Sequence, residues 1–162
     1  MSAERGARRG RQGEGTPTPG ARGARGARVT RVSVGLRATI AAEVSDADTA
    51  RALGSGDVPV LGTPRLLALA EAACVAAVAP QLDEGQTTVG TAVSLEHKRA
   101  SPIGAPIEVE AELAGIEGRR LSFNFIAYGP GTGDEALIGA GTVERMIVDR
   151  DRFLHGVHAG PG

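Results

Sequence analysis

The stretch "TPRLLALAEAACVAAVAP", Thr63 to Pro80, limits the possible folds more than any other part of the chain. From Pro64 to Ala79 only Arg65 and Glu71 are charged. Leucine and alanine favour helix, and Thr63 reads as its N-cap. Pro64 is tolerated in the first turn, and Pro80 ends the run. A helix apolar nearly all round must be buried. No apolar run reaches the ~18 residues of a membrane span, and this one lies in mid-chain, so a globular core is expected.

The surrounding sequence supplies a wrapping for that helix. Val32, Val34, Leu36, Ala38 and Ile40 alternate with polar residues and Gly35, which predicts a strand. Ser45 to Leu53 predicts a short helix, capped by Ser45 and stopped by Gly54. "GSGDVPVLG", residues 54 to 62, is a loop. After the helix, every segment reads as a strand. Thr88 to Ala100 alternates, as does the run Ile107, Val109, Ala111, Leu113. "EGRR" turns the chain before Leu121, Phe123 and Phe125. "GPGTGDE" turns it again before a last strand, Ala136 to Asp149. One strand, a buried helix and four antiparallel strands make an α+β chain. A long helix wrapped by a curved antiparallel sheet is the hotdog fold.

Charge divides the chain. Residues 1–28 hold seven arginines and two glutamates, a net of +5; the remainder holds 11 basic and 17 acidic residues, a net of −6. The Gly/Arg/Pro/Ala tail has nothing to bury and is expected to be disordered. Residues 29–154 form the domain, and 155–162 a flexible C-terminal tail with His155 and His158. Three phenylalanines, one tyrosine and no tryptophan offer no base-stacking platform, so nucleic acid is not expected as a partner. No hydrophobic segment follows the basic N-terminus, and Cys74 is the single cysteine, so a cytoplasmic protein is expected. Metal-ligand clusters, phosphate loops and G-x-S-x-G elbows are absent from the sequence.

The chemistry-bearing candidates are few. A carboxylate in an apolar interior costs several kcal/mol unless partnered, so Glu71 either faces outward, reaches an arginine across an interface, or serves as a general base. In an unbroken strand Val89, Thr91, Val93, Leu95 and His97 share one face, with Gly90 on the other. His97 is then on the apolar face, as a hydrogen-bonded core residue or as Glu71's partner. Thr63 as a helix cap needs no further role. Gly90 either relieves crowding or lets backbone N–H groups approach a ligand.

Taken together, these residues resemble a known set. Thr63 lies eight residues before Glu71 and His97 twenty-six after it. With "GTPRLLALAEAACVAAVAP", "TTVGTAVSLEH", "IEGRRLSFNF" and "GAGTVERMIVDRDRF", the chain from about residue 29 to 153 is similar to the fluoroacetyl-CoA thioesterase-like hotdog family. The resemblance implies hydrolysis of an acyl-CoA thioester by a homodimer, without a cofactor beyond the coenzyme A carried by the substrate. It implies catalytic roles for Thr63, Glu71 and His97, and substrate contacts for Gly90 and Arg145. Val143 stands where the family often has histidine. The loop from Gly54 to Gly62 lacks the aromatic residue of the fluoroacetate enzyme's lid. The implied activity is therefore thioester hydrolysis, without an implied acyl group. The alternative is a hotdog protein that binds acyl-CoA or another small ligand without cleaving it. A third reading gives the function to the Arg-rich tail, with the domain as its scaffold.

Overall fold

The central helix, α2 (Thr63–Val78), lies across a five-stranded antiparallel sheet. The computed structural model describes residues 31–160. The tail expected over 1–28 lies outside the described residues. The strands are β1 (Arg37–Glu43), β2 (Gln86–His97), β3 (Pro106–Glu117), β4 (Arg120–Tyr128) and β5 (Leu137–Asp149). Their spatial order is β1-β3-β4-β5-β2, so β1 and β2 are the two edges. This is the hotdog arrangement.

Alternation in the strands builds the core. Val109, Ala111 and Leu113 of β3 and Leu121, Phe123 and Phe125 of β4 are buried beneath the helix. They meet Leu66, Leu69, Ala70, Ala73, Cys74, Ala77 and Val78 of α2. Each large apolar side chain buried this way contributes about 1.5–3 kcal/mol. The outer face of β3 carries Glu108, Glu110 and Glu112, and Arg37 of β1 pairs with the last two. Gly118, at φ +59°, allows the tight turn between β3 and β4.

Three expectations need correction. The first strand begins at Arg37, because Gly35, at φ +98°, bends the chain just before it. The short helix is split. Ser45 and Asp48 close a single turn over Asp46–Asp48, and Thr49 then caps α1 (Ala50–Leu53). Gly54 ends α1 in the left-handed conformation, as its sequence position suggested. Finally, His155 does not open a flexible tail. Helix α3 (Arg150–His158) runs through it, capped by the Asp149 carboxylate accepting from Arg152 N at 2.9 Å.

The core helix is also less enclosed than its composition implies. It leans toward β1 and β3 and touches β2 lightly. Ala68, Ala72, Val75 and Ala76 are exposed, and so is Val93 on β2. By length and composition Thr63–Gln81 could cross a membrane, contrary to the run-length expectation, yet its buried face is the core of this domain.

Candidate active site

An irregularity in β2 decides which of its side chains meet the helix. Thr88 pairs with Ile147 and Gly90 with Arg145, but the next paired residue is Ala92, opposite Glu144. Thr91 is the extra residue of a β-bulge, and its hydroxyl donates to the Glu144 carbonyl at 3.2 Å. One inserted residue inverts the alternation beyond it. Thr88 and Gly90 therefore face the helix before the bulge, and Val93, Leu95 and His97 face it afterwards. This corrects the unbroken alternation expected from the sequence, which put Gly90 and His97 on opposite faces.

Glu71 projects from the middle of α2 over Gly90. Its Oε2 accepts from Arg145 NH1 at 2.6 Å. A Cβ on residue 90 would lie 2.6 Å from that oxygen, so the carboxylate occupies space that only glycine leaves open. The Glu71 side chain is 36% exposed, whereas that of Arg145 is 7% exposed. Arg145 also donates from Nε to Thr88 Oγ1 at 2.9 Å and from NH2 to Thr88 O at 3.0 Å. The family resemblance implied a substrate contact for Arg145. In this chain Arg145 is buried, and its three guanidinium nitrogens are engaged by Glu71 and Thr88. Thr88 was missed, although it shares a strand face with Gly90 two residues away.

Thr63 and His97 form a second pair. Helix α2 is capped by Gly62, not Thr63, and Thr63 is its first helical residue. The Thr63 hydroxyl is thus free of capping, and it lies 2.9 Å from His97 Nδ1. His97 Nε2 is buried and has no hydrogen-bond partner among the described residues. Burial pushes the His97 pKa below its usual 6.5. The pair lines a cavity of about 330 Å³ with the loop residues Ser55 to Val58, Val60 and Leu61, and with Lys98 to Ala100. No aromatic side chain lines it among the described residues.

Within one chain the two groups stay apart. His97 takes Thr63 as its partner, and Glu71 takes Arg145. Eight residues along α2 separate Thr63 from Glu71, about 12 Å at about 1.5 Å per residue. Cys74 is fully buried, and burial raises its thiol to about 12, which removes it as a nucleophile. Among the described residues no group of three or more His, Cys, Asp or Glu could hold a metal ion.

Comparison with known proteins supplies the context for this geometry. The family model described as fluoroacetyl-CoA-specific thioesterase matches residues 44–151. The fluoroacetyl-CoA thioesterase of Streptantibioticus cattleyicolor is 43% identical over 94 residues, which are 58% of this chain and only 65% of that protein. A solved structure of the fluoroacetyl-CoA thioesterase FlK is 34% identical at a TM-score of 0.71, covering 81% of this chain and 98% of that one. A threonine-to-serine variant of FlK in complex with acetyl-CoA is also 34% identical, at a TM-score of 0.72 over 80% of this chain and 100% of that one. A thioesterase superfamily member from Thermus thermophilus is 26% identical at a TM-score of 0.71, covering 78% of this chain and 91% of its own.

Proposed function

This chain belongs to the fluoroacetyl-CoA-specific thioesterase family, and we propose on that basis that it hydrolyses an acyl-CoA thioester to a free acid and coenzyme A. The observation that carries the reading is Glu71, a water-accessible carboxylate fixed over Gly90 by a buried arginine. Such a group can take a proton from water as the water oxygen bonds to the thioester carbonyl carbon. The oxyanion that forms is met by a backbone N–H at or beside Gly90, where the bulge leaves Thr91 without a partner in the β2–β5 register. The carbon–sulfur bond then breaks, and the thiolate takes a proton to leave as the thiol. That proton comes from Glu71 or through His97, whose ring is kept neutral by burial and held by Thr63. In a second route Glu71 itself attacks, the thiolate leaves, and water cleaves the resulting anhydride.

The reading includes a homodimer that shares its sites. The exposed stripe of Ala68, Ala72, Val75 and Ala76 on α2 is apolar, and the neighbouring edge of β2 is open. A second copy would cover both. It would also bring the Glu71 of one chain toward the Thr63 and His97 of the other, which the 12 Å spacing within a chain (about 1.5 Å per residue) prevents. The reading also includes a cytoplasmic location, in keeping with the single buried cysteine of the chain.

The test is thiol release from a panel of short, medium, long and aryl acyl-CoAs. At least one short or medium substrate is expected to be cleaved. Fluoroacetyl-CoA should be preferred over acetyl-CoA by less than about tenfold, since a single fluorine in a pocket without aromatic contacts offers little to discriminate. A hundredfold preference, on the scale of an engaged specificity pocket, would overturn the second expectation. Silence across the panel would favour the non-hydrolysing ligand-binding protein.

A further inference from the structure

We propose that Thr88 is a positioning residue for the reaction: it sets the plane of the Arg145 guanidinium, and through it the place of the Glu71 carboxylate. The inference rests on the hydrolase reading above and adds a residue that no part of that reading uses.

Thr88 is 8% exposed and Arg145 6% exposed, so neither has water as a ready substitute partner. A guanidinium is planar, with its donors in a fixed fork. Two of the three donor nitrogens of Arg145 go to one residue: Nε to Thr88 Oγ1 and NH2 to Thr88 O. Two anchor points on the same edge of a plane fix its rotation as well as its position. The remaining nitrogen, NH1, is thereby aimed at Glu71 Oε2. Arg145 is the one side chain that holds Glu71 among the described residues.

The strand register makes this arrangement possible. Thr88 and Gly90 are two apart on β2, and both precede the bulge. They present to the same face a hydroxyl and a gap. Arg145, opposite Gly90, reaches back along the strand to the hydroxyl, and Glu71 fills the gap. If the hydroxyl is lost, the carbonyl contact survives and the guanidinium turns about it. Glu71, more than a third exposed, then follows NH1 or swings into water. Displacement of a reacting group by about 1 Å is enough to cost up to about a hundredfold in rate.

Two substitutions separate positioning from packing. Thr88→Val keeps the shape and removes the hydroxyl. Thr88→Ser keeps the hydroxyl and removes a methyl group. Both are assayed with the best acyl-CoA of the panel, alongside melting temperature and the NMR signal of the Arg145 Nε–H. The proposal expects kcat to fall about 10–100-fold in Thr88→Val with KM changed less than about threefold, and to recover in Thr88→Ser to within about threefold of wild type. The protected Nε–H signal should be lost in the valine variant and kept in the serine variant. Equal kcat in wild type and Thr88→Val, or a serine variant as slow as the valine one, overturns the proposal. If both variants fail to fold, the wild-type signal decides: a rapidly exchanging Arg145 Nε–H means no clamp, and a protected one upholds it. Should wild type cleave no acyl-CoA, the hydrolase reading fails by itself, and the NMR comparison alone judges whether Thr88 orients Arg145.

Discussion

The two polar groups on the helix side of the sheet are built on opposite plans. Glu71, Arg145 and Thr88 are joined by three hydrogen bonds, one of them between full charges. Thr63 and His97 share a single neutral contact, and His97 Nε2 is buried without a partner among the described residues. Charge-assisted bonds are short and strong, and they fix a carboxylate in one place. A desolvated imidazole with one nitrogen engaged and the other open is suited to passing a proton on. Stability and function should therefore respond differently when each group is broken.

Glu71→Gln should have the largest effect. Removal of a general base or nucleophile should lower kcat by about a thousandfold. The isosteric amide keeps the side chain's shape, but the structure puts a buried guanidinium beside it. Loss of the ion pair should cost about 1 kcal/mol, at the low end for a buried cation because water screens the partly exposed glutamate. Thermal melting and thiol release measured together check both effects. Activity near wild type with a large fall in melting temperature would make this a structural ion pair.

Gly90→Ala tests the same group from the strand side. The added Cβ would meet Glu71 Oε2 at 2.6 Å and Arg145 NH1 at 3.4 Å. The carboxylate is the mobile end of a side chain and can swing aside, so the fold should change little. Activity should fall about 10–100-fold through misplacement. An alanine variant as active as wild type would show that the carboxylate works elsewhere.

These two positions also show what sequence reasoning could and could not reach. The apolar helix and the alternation of the strands follow from periodicity and residue type, whereas the grouping of Thr63, Glu71 and His97 rested on the family resemblance. The bulge at Thr91 does not, because "TTVGTAVSLEH" alternates acceptably in either phase. Only pairing with β5 shows where the phase breaks. Thr63 looked like a cap because threonine often caps, yet Gly62 has the extended backbone of the cap position. The burial of Arg145 was legible in the alternation of β5, where it shares a face with the buried Val143 and Ile147, but its bonds to Glu71 and Thr88 were not. Helix α3 was overlooked because Gly156 and two histidines resemble a tail, although Asp149 was a legible cap.

The smallest expected effect is on stability, and it comes from the neutral pair through pH dependence. Folding holds the His97 pKa below 6.5, so the unfolded chain binds that proton first. Stability should therefore fall as pH drops below about 6.5, and level off once the folded protein is also protonated at His97. The slope from this one group cannot exceed about 1.4 kcal/mol per pH unit. Denaturant titrations of wild type and His97→Gln should show the variant with the flatter profile in that window. Identical slopes would contradict the burial of a neutral ring.

The central claim is that one working site needs the charged group of one chain and the neutral pair of another. Co-expression of differently tagged Thr63→Ala and Glu71→Gln chains, followed by isolation of the heterodimer, tests it directly. Each single variant is first shown to be inactive as a homodimer. If the sites are shared, one site of the heterodimer carries both lesions and the other carries none. Thiol release should then return to about half the wild-type rate per dimer on this symmetry argument. If Thr63 and Glu71 act within one chain, every site keeps one lesion, and a heterodimer as inactive as its parents would contradict the account.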